Sequence, residues 1–319
     1  MKIINDLGCP DHAFKAITKM QGRIERPKLD YIGVSTLLSA PLPRFLYARY
    51  FDQVEVLASE TMNAIQGQLG HLLFDKIDTD TLTEIHLKTE FQDNLIYGIA
   101  DYYDPKLKTL GDVKFRQVNS VTAGNISKDD YLEKQLNVYR WMADRMGFDV
   151  EHLQGDIYIN GWVRYKALPD SSYPKAPYQK VIIPIWPDEQ ITNYVSERLK
   201  IHDTRAINLL RMNPEPFADH LLDEAMMEIP ICTDKERFTQ PTKFAVVKEG
   251  QKKATKLCAT MAEAEVYING QSEAMAKKLS VTERKGGHIK CLHYCSVSKF
   301  CPHVKKDAEI PLQEDEKDL

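Results

Sequence analysis

Apolar residues at Ile65, Leu69, Leu72 and Leu73 of "ASETMNAIQGQLGHLLFDKI" recur at the helical period, so this stretch reads as a helix with one buried face. "LIYGIADYY" and "TLGDVKF" follow as short, mostly apolar runs separated by Asp104-Pro105, which opens a turn: proline fixes φ at the second turn position and aspartate bonds the backbone ahead. They predict an antiparallel hairpin. "SKDDYLEKQLNVYRWMADRMG" returns to the helical period, with Ser127 and Asp130 as capping residues and Gly147 as its stop. "GDIYINGWVRYKA" and "KVIIPIW" predict two more strands around a Pro/Ser-rich loop, and "PDEQITNYVSERLKIHDTRAINLLRM" one long helix with proline at its first turn.

The two ends differ from this middle. Residues 1–31 read as an arm, irregular apart from a short helix, and Ser35 is the expected N-cap of the next one, limited in length by Pro41 and Pro43. From residue 229 the composition shifts to a basic hairpin around Glu249-Gly250, a short Ala-rich helix and the cysteine-bearing "KCLHYCSVSKFCPH". No internal repeat, phosphate-binding glycine loop or Ser/His/Asp signature occurs.

The predicted hairpin carries chemistry. Period two puts Asp112 and Lys114 on one face of their strand, and an even loop around "DPKL" brings Asp101 to that face too. Three charged groups on a mostly apolar hairpin are costly to bury unless something pairs with them, and a divalent metal would do so. A solvated Asp/Lys surface pair is the plainer alternative.

Length and composition narrow the class. With 319 residues, 43% hydrophobic and 28% charged, the chain is expected to be a soluble protein of one large domain or two. It has no apolar run of membrane-spanning length, and "MKIINDLGCPDHAF" lacks a signal peptide's apolar segment, so a cytoplasmic location and reduced or metal-bound cysteines are expected. Net charge is −4, unlike a protein that coats nucleic acid indiscriminately. Yet residues 243–306 hold 13 Lys/Arg against 5 Glu, whereas residues 307–319 hold 6 acids and one Lys. A basic region beside an acidic core suits a phosphate-binding surface next to a carboxylate site, or an ordinary charged face.

Gly67-x3-His71, Gly98-x2-Asp101, Asp112-x-Lys114 and Gln135-x3-Tyr139, in this order on helix, strand, strand and helix, resemble the RecB-type branch of the PD-(D/E)xK nucleases, particularly phage exonucleases and the four-cysteine nucleases of CRISPR adaptation. The resemblance covers residues 33–200. It implies an α/β, restriction-endonuclease-like core, with a central mixed sheet flanked by helices, over residues 32–228, and a cysteine-bound subdomain with an acidic tail over 229–319. Asp101, Asp112, His71 and the Val113 carbonyl would hold Mg²⁺ or Mn²⁺, the imidazole favouring Mn²⁺. Lys114 would orient the attacking water, the Gln135 amide would hold the lysine, and the Tyr139 phenol would touch DNA. Gly67 would let the first helix approach the sheet closely.

Cys291-x3-Cys295-x5-Cys301 resembles the cysteine triplet of AddB and the CRISPR nucleases, which with one distant cysteine binds a four-iron four-sulfur cluster; those families usually space the first pair by x2. Cys232 is the favoured fourth ligand, Cys9 the other choice. Zinc on the triplet with Cys232 or His303 is the alternative, and Cys258 is expected to pack as a small hydrophobe. The activity implied is exonuclease digestion of linear DNA, with a single-strand annealing or recombination protein as partner, no membrane, and an oligomer allowed. Two rivals stand beside it: an assembly module with an idle nuclease fold, and a metal or redox sensor built on the cysteines.

Overall fold

The computed structural model describes residues 1–20, 26–61, 65, 67, 80–122, 130–167, 173–212, 219–251 and 253–304. His71, Ser127 and the acidic tail lie outside them. The chain forms two compact units, residues 1–231 and 232–319.

The first unit is built on a mixed sheet. Its strands are β2 (Tyr31–Gly33), β4 (Leu82–Phe91), β5 (Asn94–Asp104), β6 (Thr109–Gln117), β7 (His152–Asn160) and β8 (Tyr178–Ile183), in the order β2-β5-β6-β7-β8, with β4 also pairing β5. β4 to β6 form an antiparallel meander, β6 and β7 are parallel, and β8 is antiparallel to β7. The β4–β5 turn uses Gln92 and Asp93 at φ 50 and 59, the left-handed pair that a two-residue hairpin of matching twist requires. The predicted arm contains β1 (Lys2–Ile4), parallel to β3 (Glu55–Leu57), as well as helix α1 (Asp11–Met20). Short helix α2 (Val34–Leu37) starts from Gly33 with no side-chain cap, so Ser35 is not its N-cap, and Pro41 begins α3 (Pro41–Arg49).

Helix α5 (Asp130–Arg145), which follows the short α4 (Val118–Thr122), lies on one face of the sheet. It contributes Leu132, Leu136, Val138, Trp141, Met142 and Ala143 to the core formed with Leu87, Ile96, Leu110, Leu153 and Ile157. It ends one residue before the turn at Met146-Gly147, where glycine takes φ 88 without a Cβ penalty. The long helix expected over 187–212 is two, α6 (Asp188–His202) and α7 (Arg205–Met212). The break falls at Asp203-Thr204 because their side chains bond the next turn instead: Thr204 Oγ1 accepts from the Ile207 amide and Asp203 from Asn208 Nδ2. Helix α8 (Asp219–Met227) completes this unit. Among the described residues no helix is long and apolar enough to cross a membrane.

The second unit opens with α9 (Asp234–Arg237), capped reciprocally by Thr233 and Glu236. β9 (Thr239–Gln240) comes next, then the expected hairpin, β10 (Lys243–Lys248) and β11 (Ala254–Cys258), turning through Gly250 at φ 77. Helix α10 (Met261–Asn269) and short α11 (Glu273–Ala276) follow. Strand β12 (Leu279–Arg284), which the local sequence does not announce, pairs with the other edge of β10. "LSVTER" alternates polar and apolar residues, but it is short and its partner lies about thirty residues back in the chain, so no local turn signal marks it. Cys258 is 3% exposed and packs with Val246 and Ala264, as a small hydrophobe does. β13 (Gly287–His288) pairs with β9 and leads into α12 (Ile289–His293).

Candidate active site

Asp104 makes the turn between β5 and β6, its Oδ1 accepting from the Lys106 and Leu107 amides at 2.9 and 3.0 Å. The four-residue loop sets Asp104 opposite Thr109 and Tyr102 opposite Gly111, so continuing the count places Asp101 across from Asp112. The strand is not regular here. Ile96, Gly98 and Ala100 are buried at alternate positions, but the next buried residue is Tyr103 rather than Tyr102, so β5 changes the side it buries beside Asp101. On the neighbouring strand Glu84, at the matching position, sits at φ 48.

Asp101 Oδ2 accepts a 2.6 Å hydrogen bond from the Val113 amide, and Lys114 Nζ lies 2.7 Å from Asp112 Oδ2. Asp112 is 2% exposed. Burial, and then the Asp112 charge, push the Asp101 carboxyl up to about 8, with Glu84 adding to the effect. Burial alone would depress the Lys114 ammonium, but Asp112 and then Asp101 outweigh it and hold it above the ordinary lysine range. The lysine is therefore a cation at neutral pH and acts as a hydrogen-bond donor.

Two glycines let α5 sit down on this part of the sheet. A Cβ on Gly98 would come 2.7 Å from Tyr139 Cε1 and 3.0 Å from Val34, and one on Gly155, opposite Asp112, would come 2.7 Å from Leu132. At Gly67, whose neighbours 62–64, 66 and 68–79 lie outside the described residues, an added Cβ would meet no described atom within 4 Å. Gly98→Ala is expected to cost about 1–3 kcal/mol, because the ring it meets is itself locked in the core. Urea unfolding of the variant checks this; an unchanged midpoint would mean that Tyr139 moves aside freely.

Gln135 and Tyr139 are both buried on the sheet side of α5. The Gln135 amide donates to the Tyr139 hydroxyl at 3.0 Å, rather than holding Lys114, which Asp112 holds. Gln135 Oε1 is buried with no hydrogen-bond partner among the described residues. Tyr139 is 5% exposed, and its phenol is pushed up by burial and by the two aspartates. Nothing in the sequence marks Glu84, because the alternation of Ile85 and Leu87 with His86 and Lys88 makes it an ordinary outward position.

Asp101 and Asp112 are hard oxygen donors held against each other's charge, a donor pair that fits Mg²⁺ or Mn²⁺. Among the described residues no group of three His, Cys, Asp or Glu side chains is close enough to hold a metal ion. His71 lies outside them, and Val113 supplies its amide to Asp101.

In the second unit Cys232 precedes α9, Cys291 lies on α12, and Cys295 and Cys301 bracket a 3₁₀ turn at Ser298–Phe300. All four are reduced and half-buried. The Cys232 thiol is pushed up to about 11 by burial, then by Glu236, Cys291, Cys301 and Cys295. Cys291 is raised by burial and the other two triplet cysteines, with Arg237 and Lys290 opposing. Cys9, in the first unit, is tied at its backbone to Asn5. His303 is half-buried, and His293 buries an Nε2 with no hydrogen-bond partner among the described residues.

No protein-family model matches the chain, and no curated protein matches it. Among solved structures it is similar to the crystal structure of SSO0001, with 14% identity over 62% of this chain and 89% of that one and a TM-score of 0.40. It is also similar to a phage-related exonuclease from Haemophilus somnus 129PT, with 17% identity over 53% of this chain and 90% of that one and a TM-score of 0.34.

Proposed function

We propose that this protein is a divalent-metal-dependent deoxyribonuclease that hydrolyses phosphodiester bonds from the ends of linear DNA, in phage or mobile-element recombination. The observation that supports it is the meeting of Asp101, Asp112 and Lys114 at the end of the β5–β6 ladder, beneath α5. Asp101 and Asp112, with His71 and the Val113 carbonyl, would hold Mg²⁺ or Mn²⁺. Such a cation, when bound, supplies Lewis-acid stabilisation of the phosphate and an acidified water. Lys114, kept protonated by Asp112, donates to the attacking water or a phosphate oxygen and orients it. Gln135 and Tyr139 exclude bulk solvent behind the carboxylates. Cys232, Cys291, Cys295 and Cys301 would hold a four-iron four-sulfur cluster, or zinc, as a structural centre.

The test is digestion of end-labelled linear DNA and closed-circular DNA with Mg²⁺, with Mn²⁺ and with EDTA. Loss of linear DNA from its ends, only with metal and not by Lys114→Ala, is the expected result. Intact linear DNA in both metals, or cleavage undiminished by EDTA, overturns the proposal.

A pH dependence follows from Asp101. Its pKa in the folded state, about 8, exceeds the unfolded carboxylate value of about 4, so the native state binds the extra proton between those limits. Without metal, the stability contributed by that proton is complete below about pH 4 and is lost as pH rises to about 8. Melting temperatures of parent and Asp101→Asn across this window are expected to converge in slope only when Mg²⁺ is added. A parent slope equal to that of Asp101→Asn without metal would show that Asp101 titrates normally.

A further inference from the structure

On the face of the sheet opposite α5 lies a group of polar side chains that the proposed chemistry does not use. Asp156, on β7, is 8% exposed, and its hydrogen-bond donors among the described residues are uncharged: Tyr102 donates to one carboxylate oxygen, and Tyr178 and Gln154 to the other, the amide at 2.9 Å. Tyr178 comes from β8, the neighbour of β7. Tyr102 comes from β5, two strands away, and must cross β6 to arrive. It does so over Gly111, where an added Cβ would fall 2.0 Å from Tyr102 Cζ and 2.3 Å from its hydroxyl. Only glycine leaves room for that crossing.

One end of this link is the chain neighbour of a site residue, and the other follows the strand partner of one. Asp101 precedes Tyr102, Asp112 follows Gly111, and Gly155, paired with Asp112, precedes Asp156. The described β5–β6 ladder stops at Tyr102 and Gly111. Just beyond it the Val113 amide donates to the Asp101 side chain. We infer that the Tyr102–Asp156 hydrogen bond across Gly111 is a strut that fixes the spacing of Asp101 and Asp112, making Tyr102 and Asp156 positioning residues for a divalent cation. This rests on the reading of the two aspartates as metal ligands. Partners of this kind, one step behind the ligands, typically govern affinity by 10–100-fold.

The test is Mn²⁺ binding measured by electron paramagnetic resonance on folded protein, with no reference to cleavage. Tyr102→Phe keeps the ring over Gly111 and removes only the hydroxyl, and is expected to weaken Mn²⁺ binding about tenfold. Tyr178→Phe removes a bond to the same carboxylate without touching β5, and is expected to lower the melting temperature while leaving Mn²⁺ binding at the parent value. Tyr102→Phe binding Mn²⁺ like the parent, or both variants losing it equally, overturns the strut. Should Tyr102→Phe fail to fold, Asp156→Asn carries the same expectation and the same refutation. A parent that binds no Mn²⁺, or an Asp112→Ala variant that binds it like the parent, overturns the metal-ligand reading itself, and the strut with it.

Discussion

Asp112→Ala is expected to lower the rate of DNA cleavage by at least roughly 10²–10³-fold, the usual loss when one preorganised electrostatic contact to the transition state is removed. Asp112 is the more deeply buried of the two carboxylates, and it is also the group that keeps Lys114 charged and in place. One substitution therefore removes a metal-ligand candidate and loosens the proton donor. Binding of DNA should persist, since phosphate contacts come from lysines and arginines elsewhere in the chain. Breaking a buried ion pair from one side commonly costs about 3–5 kcal/mol, but here Asp101 is relieved of the second-largest cause of its raised pKa, and the net loss of stability should be smaller. Asp112→Asn, of equal shape, separates charge from packing. Single-turnover cleavage with a parallel gel-shift titration decides the matter: a variant that cuts near the parent rate would remove Asp112 from the site.

Replacing Cys232, Cys291, Cys295 or Cys301 with serine is expected to unfold the second unit without melting the first. Its buried apolar residues among the described ones are Ala245, Val246, Cys258, Ala264 and Val297, with partly buried Phe244, Tyr267, Ile268, Leu279 and Val281 packed around Val246, Cys258 and Ala264. A core this small ordinarily needs a staple. Cys232, Cys291 and Cys295 are pushed up by burial first and by neighbouring cysteines after it, so a cation that took their protons would stabilise them. A structural metal in such a setting contributes on the order of 10 kcal/mol directly to folding. The serine variants should lose bound iron or zinc and be cut rapidly by protease after about residue 231, leaving a resistant first unit. Cys258→Ser is the control: it sits in the apolar cluster, so it should lose stability and keep the metal. A metal-free parent, or triplet variants as protease-resistant as the parent, would sink the proposal for the cysteines and leave the carboxylate site untouched.

Much of the local structure was legible along the chain. Asp104-Pro105 announced the β5–β6 turn, the even loop put Asp101 across from Asp112, Gly147 closed helix α5, and Gly250 turned the basic hairpin. These are short-range effects: a fixed φ, a missing Cβ, or a burial period of two or 3.6 residues acts within a few positions and leaves its mark in the sequence. What the sequence did not contain is which strands become neighbours and what then happens across them. The change of buried side at Asp101 with Glu84 at φ 48, the Gln135 amide bonded to Tyr139 while Asp112 takes Lys114, and β12 added to the edge of β10 each depend on partners brought together by packing. Tyr102 and Asp156 are the clearest case, 54 positions apart and joined only because β6, bare at Gly111, lies between them. A hydrogen bond between distant residues carries no local period, so only the assembled sheet, with its own strand order, decides which buried donors meet which acceptors.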